Sequence, residues 1–269
     1  MRLDESDSQS KFLGVKMKKA LLAVCLAGFA SYGFAQGAVK WGYDGNIGPA
    51  NWGDLSSEFA MCKTGKVQAP IDISTKALPK ATAPIKTYYR DSKATVVNNG
   101  HTIQVDLPDG GYAMLSDDDF NILQFHMHAP GEETVDGKRY PFNAHLVHIN
   151  PGDNEGDTER GKLAVIGIFF QEGKENAALK PIFDVMPAKV GKVVMKDKFN
   201  VSKLLPKSLA YYSYSGSLTT PGCNEGVTFY ILKTPVEMSA AQLAQFKKIF
   251  PMNARPVMPL NGRKVAEGG

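Results

Sequence analysis

The segment from Gln124 to His148 constrains the fold more than any other. Its two ends, Gln124-Phe-His-Met-His128 and Asn143-Ala-His-Leu-Val-His148, alternate polar and apolar side chains with the period of two that marks a half-buried strand. Gln124, His126 and His128 therefore project from one face, and Phe125 and Met127 from the other. Asp136-Gly137-Lys138 between the runs is a turn signal, so the second run returns antiparallel beside the first. On that second strand Asn143, His145 and Val147 share one face, while Ala144, Leu146 and His148 share the other. Pairing brings His126, His128 and His145 onto one wall, and three neutral imidazoles with an open fourth position are the ligand set of a catalytic zinc. A lone His-x-His is ordinarily surface or core histidine. The third histidine in phase carries the metal reading, and parity sets His148 apart from it.

The N-terminus reads as a targeting segment. Lys16, Lys18 and Lys19 precede an apolar run from Ala20 to Ala30, and Gly33-Phe-Ala35 supplies small residues for cleavage. About 15 apolar-leaning residues are too few for a membrane span. We place an N-terminal extension plus signal peptide at residues 1–35, with Met17 as an alternative start, and one domain at residues 36–269. The Val24 before Cys25 spoils a lipoprotein box, which favours a periplasmic or secreted protein. Without the leader, 26 Lys and Arg stand against 24 Asp and Glu, dispersed and without a basic run. That excludes a nucleic-acid-binding surface of the usual kind. Losing Cys25 leaves Cys62 and Cys223, a natural disulfide pair in an oxidising compartment.

Short alternating runs recur along the chain. Strands are expected at 85–90, 94–98, 101–107, 112–115, 211–214 and 227–232, with a strand buried on both faces at Leu163-Ala-Val-Ile-Gly-Ile-Phe-Phe. Helices are expected from Glu175 to Met186 and from Ser239 to Phe250, with Ser239 as N-cap. Asn150 to Gly161, polar and acidic, reads as a hairpin loop. Many strands and few helices predict a mainly β (α+β) single domain around a large, mostly antiparallel sheet.

These runs, taken together, resemble a known family. Trp41-Gly-Tyr, Gln68-Ala-Pro-Ile-Asp, Asn98-Asn-Gly-His, the two histidine strands, Leu163-Ala-Val-Ile-Gly-Ile-Phe, Tyr214-Ser-Gly-Ser-Leu-Thr-Thr-Pro, Asn253-Ala-Arg-Pro and Pro259-Leu-Asn-Gly-Arg follow the order of the α-class carbonic anhydrases, secreted bacterial kind. The resemblance implies one zinc ion on His126, His128 and His145, whose bound water, as hydroxide, attacks carbon dioxide to give bicarbonate and a proton; this family is itself the reference case for that chemistry. It implies that Thr219 accepts a hydrogen bond from the hydroxide and donates one to Glu132, and that His101 shuttles the proton. Tyr43, Asn99 and Thr220 match residues of the water network. Val147, Val165, Leu218 and Val227 match the apolar wall, with Phe229 where many relatives carry tryptophan. Gln124 matches the partner of His126. Bacterial relatives are often homodimers, and cobalt or iron would also suit imidazole ligands.

The chain departs from the family pattern at four places. Asn143 stands where a glutamate usually holds the third histidine; the amide accepts that bond but brings no charge, so zinc is expected to be held less tightly. Glu133 replaces a histidine after Glu132, and alternation is expected to turn the two acids apart, with little effect on Glu132. Gly222 replaces a proline and is expected to loosen the loop of Thr219 and Cys223; Met258 replaces a glutamine. Two rival functions are a binding protein that has lost catalysis, which the intact histidines oppose, and a zinc esterase, which the small apolar wall opposes.

Overall fold

Alternating Val, Ile, Phe and Tyr drive most of the chain into strands. The computed structural model describes residues 39–81, 83–152 and 161–269. The leader read at residues 1–35 lies outside them. Twelve strands pair into one sheet: β1 (Lys86–Tyr89), β2 (Thr95–Asn98), β3 (Ile103–Asp106), β4 (Gly111–Leu115), β5 (Asp118–His128), β6 (Phe142–Ile149), β7 (Leu163–Glu172), β8 (Gly191–Val194), β9 (Tyr211–Ser217), β10 (Glu225–Leu232), β11 (Val236–Met238) and β12 (Ala266–Gly268). The main path runs β8-β2-β3-β5-β6-β7-β10-β9-β12, with β4 also on β5, β1 on β4 and β11 on β7. Every pairing is antiparallel except those of β7 with β10 and β11. A separate small sheet joins Asp72–Ile73, Thr134–Val135 and Lys138–Arg139, so the link between β5 and β6 carries its own tight turn at Asp136-Gly137. The described residues from Val39 onward form one compact unit.

The two histidine strands lie in the middle of this sheet. They pair antiparallel, with His126 opposite His145 and His128 opposite Asn143. A bulge at Leu123 shifts the register between Ile122 and Gln124. Strand β6 is buried on both faces and so is most of β7. Alternation then divides their side chains between two cores. Phe125, Met127, Ala144, Leu146, Ile166 and Phe170 join the larger one, which the helix Ala240–Lys247 covers by setting Phe246 edge-on to Phe142. Val147, Val165, Phe169, Val227 and Phe229 face the other way.

The helices are shorter than the sequence predicts. Ser239 does cap its helix, in a reciprocal capping box with Gln242. The helix expected from Glu175 to Met186 shrinks to Lys180–Phe183. Asn176 caps the turn that leads into it: its Oδ1 accepts the N–H groups of Ala178 and Leu179, both at 3.1 Å, and its carbonyl accepts the Lys180 N–H, so Glu175 is left outside the helix.

His148 lies on the core side of β6, fully buried, with Nε2 2.7 Å from the Tyr89 hydroxyl. Burial pushes its pKa down from 6.5 to about 4. An unfolded chain thus takes up a proton before the folded one does. The resulting stability is complete above the unfolded value and is lost as pH falls through the interval to about 4, amounting to about 3 kcal/mol at roughly 1.4 kcal/mol per unit. Denaturant titrations of metal-loaded wild type and His148→Gln at pH 7 and pH 4.5 should show the wild type losing more by about 2 kcal/mol or above. Equal losses would refute this.

Candidate metal centre

Strand alternation aims His126 and His128 of β5 and His145 of β6 at one point. One ring nitrogen from each lies within 4.8 Å of the other two. The far nitrogen of every ring meets an acceptor. His126 Nδ1 is 3.0 Å from Gln124 Oε1, His128 Nδ1 is 2.8 Å from the Asn253 carbonyl oxygen, and His145 Nε2 is 3.2 Å from Glu133 Oε2. An acceptor assigns the ring proton to its own side and leaves the opposite nitrogen as a bare lone pair. The inward atoms are thus Nε2 of His126, Nε2 of His128 and Nδ1 of His145. His128 Nε2 is buried and has no hydrogen-bond partner among the described residues. A buried lone pair left unmatched is costly, and a divalent ion that favours imidazole, zinc foremost, matches it.

The electrostatics keep two of these rings neutral. Burial, reinforced by the neighbouring rings, holds His126 well below its ordinary pKa and His128 at about 3. His145 differs: burial pulls it down, but the Glu133 carboxylate and, further off, Glu132 more than offset that and raise it. Glu132 is fully buried, with Oε1 accepting the Arg255 N–H at 2.8 Å and Oε2 3.7 Å from His145 Nδ1. Burial lifts its pKa to about 7, against the His145 ring, which favours ionisation; Glu133 adds to the rise. The Thr219 side chain, close to the same carboxylate, favours its ionisation.

Here two expectations are corrected. The carboxylates of Glu132 and Glu133 are not turned apart: both are fully buried and both approach His145. Strand alternation does not govern them, because they lie in the link after β5 rather than in a strand. Nor does Asn143 accept the His145 proton. Its Nδ2 donates to Glu133 Oε2 at 2.9 Å, and Glu133 is the acceptor for the ring.

The other residues singled out in the sequence distribute as follows. Val147, Val165, Val227, Phe229 and Leu218 share one apolar cluster, and a cleft of about 290 Å³ opens beside Leu218 and Val227. His101 is half-buried and stacks face to face on Trp41, 3.5 Å between centroids and 8° between planes. Burial lowers its pKa. Asn99 Oδ1 accepts the N–H groups of His101 and Thr102, both at 3.0 Å, so it builds the turn that presents the imidazole. Tyr43 packs edge-on against Trp41 and Trp52, and burial, with the Glu132 charge, raises its pKa.

Thr219 and Thr220 sit on the loop after β9. Gly222 holds φ +98°, which proline cannot adopt, and the Cys223 N–H returns to the Thr220 carbonyl at 2.9 Å. The loop is closed by that turn and by the disulfide from Cys223 to Cys62. Residues 62 and 223 are 161 apart in sequence. Closing so long a loop should stabilise the fold by about 2–4 kcal/mol. The double variant Cys62→Ser/Cys223→Ser should therefore unfold at lower urea concentration than the oxidised wild type. An unchanged midpoint would show that the bridge adds nothing.

Residues that the sequence left without a role complete the site. Asn253 reaches four residues: its carbonyl fixes His128, its Oδ1 accepts the Ala129 N–H at 2.8 Å, and its Nδ2 donates to the carbonyls of His101 and Met127. Arg255, almost wholly buried, donates to the carbonyls of Ala69 and Cys62 and lies over Trp52. Their only signal was the motif Asn253-Ala-Arg-Pro. Tyr214 donates its hydroxyl to Glu133 Oε1 at 3.1 Å.

The family model described as eukaryotic-type carbonic anhydrase matches residues 47–268. A carbonic anhydrase of Pectobacterium carotovorum is 40% identical over 245 residues, covering 90% of this chain and 95% of the relative. One from Neisseria gonorrhoeae is 40% identical over 255 residues, covering 94% and 96%. Among solved structures, the α-carbonic anhydrase of Thermovibrio ammonificans in complex with the inhibitor sulfanilamide superimposes with a TM-score of 0.79 at 50% identity, over 86% of this chain and all of that one.

Proposed function

The chain belongs to the eukaryotic-type carbonic anhydrase family, and from that premise we propose that it hydrates carbon dioxide reversibly to bicarbonate and a proton, with zinc held by His126, His128 and His145. The observation that carries this reading is the set of three inward ring nitrogens, each opposed by an acceptor on its far side. Bound there, zinc supplies the Lewis acidity that makes a water nucleophilic at neutral pH, an effect for which this family is the reference case.

The chain's own residues orient and confine. An ionised Glu132 accepts only, so the Thr219 hydroxyl must donate to it and turn its lone pairs toward the metal side. That arrangement orients the attacking oxygen. Val147, Val165, Leu218 and Val227, packed in one apolar cluster, supply the wall against which carbon dioxide is placed. His101, near the surface and outside the ligand set, carries the proton away, and Tyr43, Asn99 and Thr220 order the water between. The Cys62–Cys223 bridge suits an oxidising compartment, and among the described residues no helix is long and apolar enough to cross a membrane. We take residues 1–35 as a leader for export to the periplasm or medium and residues 36–269 as the catalytic domain.

The test is stopped-flow hydration of carbon dioxide on metal-analysed protein. About one zinc per chain with fast turnover is expected. Full zinc without turnover would turn the reading toward a binding protein, and protein that takes up no metal would end it.

A further inference from the structure

We propose that Glu133 is the positioning residue for the third ligand histidine: its carboxylate fixes the proton of His145 on Nε2 and so presents Nδ1 to the metal. This rests on the zinc reading above.

The geometry is over-determined at Glu133 Oε2. His145 Nε2 lies 3.2 Å from it, Asn143 Nδ2 lies 2.9 Å from it, and those two nitrogens are 2.9 Å apart. An ionised carboxylate only accepts, so both nitrogens must bring protons to it. Were His145 to carry its proton on Nδ1 instead, its bare Nε2 could accept from Asn143 Nδ2 at 2.9 Å but would then also face the Glu133 carboxylate oxygen at 3.2 Å, lone pair against charge. Reversing the Asn143 amide fares no better, because its oxygen would then stand 2.9 Å from Glu133 Oε2. The opposite oxygen of Glu133 takes the Tyr214 hydroxyl, so the carboxylate is held at both ends in a fully buried place. Asn143 thus supports the acceptor rather than replacing it. It stands beside the ring yet leaves the charge to a residue ten positions earlier, in the link after β5.

The proposal implies that the charge can be relocated but not doubled or removed. Asn143→Asp puts a carboxylate oxygen where Nδ2 now lies, within reach of the same His145 nitrogen. Three variants follow: Glu133→Gln, which keeps the shape and loses the charge; Asn143→Asp, which sets two carboxylates on one ring; and the double variant, which moves the single charge across. Zinc affinity is measured by competition with a chelator, and the His145 ring is followed by nitrogen-15 NMR on zinc-loaded protein. Glu133→Gln should weaken zinc about 10–100-fold, the usual effect of losing such a partner, and shift the His145 Nε2–H resonance. The double variant should recover most of that loss, which mere damage to packing would not allow. If Glu133→Gln binds zinc as wild type does, with an unmoved His145 resonance, the proposal falls while the enzyme reading stands. If wild type itself takes up no zinc, both fall together.

Discussion

His128→Ala should abolish both zinc retention and carbon dioxide hydration. His128 is buried, its Nδ1 is tied to the Asn253 carbonyl, and its Nε2 meets no protein donor or acceptor among the described residues. Alanine leaves the Asn253 carbonyl without its donor, a loss confined to one hydrogen bond and the space of one ring. The metal, by contrast, loses one of three protein ligands. The loss in affinity should exceed the about 10–100-fold that changes behind the ligands bring. Dialysed variant protein should therefore carry far less than one zinc per chain, and hydration should fall to background. The fold should persist, since the core on the other side of β5 is untouched. A variant that keeps a full complement of zinc would refute the assignment of the ligand wall.

The second large effect separates metal binding from orientation. Thr219→Val keeps the volume and removes the hydroxyl, so Glu132 loses the donor beside it and nothing aims the attacking oxygen. Hydration, read as kcat/KM, should fall about 100-fold, the low end of what one positioned donor or acid–base group contributes. Zinc content should not change, because no ligand and no ligand partner is touched. Unaltered turnover would remove Thr219 from the mechanism. Loss of zinc along with turnover would place its role in holding the site together.

The hairpin was legible because strands obey parity. Two alternating runs and the Asp136-Gly137 turn were enough to put His126, His128 and His145 on one wall and His148 on the other face, while the register that sets His126 opposite His145 comes from the structure. The central strands, their mostly antiparallel order and the capped helix after Ser239 could be read for the same reason: each is a local pattern. What escaped the sequence lies where no period applies. Glu133 sits in a link whose path is set by tertiary contacts, so strand alternation gave its direction wrongly. Asn253 and Arg255 act from 125 and 123 residues beyond the groups they hold, and nothing local announces a backbone carbonyl as the partner of a distant ring. The helix at Glu175 was overstated because its apolar spacing was counted and the cap that Asn176 forms after it was not.

The single negative charge beside the third histidine lies on Glu133, ten residues before the Asn143 that donates to it. Such a charge does not move between them by independent steps. A lineage that gains the second acid first passes through two carboxylates on one buried ring. A lineage that loses the first acid early passes through none. Each route crosses an ancestor with a weakened grip on its metal, so the two sites are expected to change as a pair, or only where zinc is plentiful. Judged singly, Asn143 and Glu133 look like two defects; judged together they are expected to behave as a single exchange.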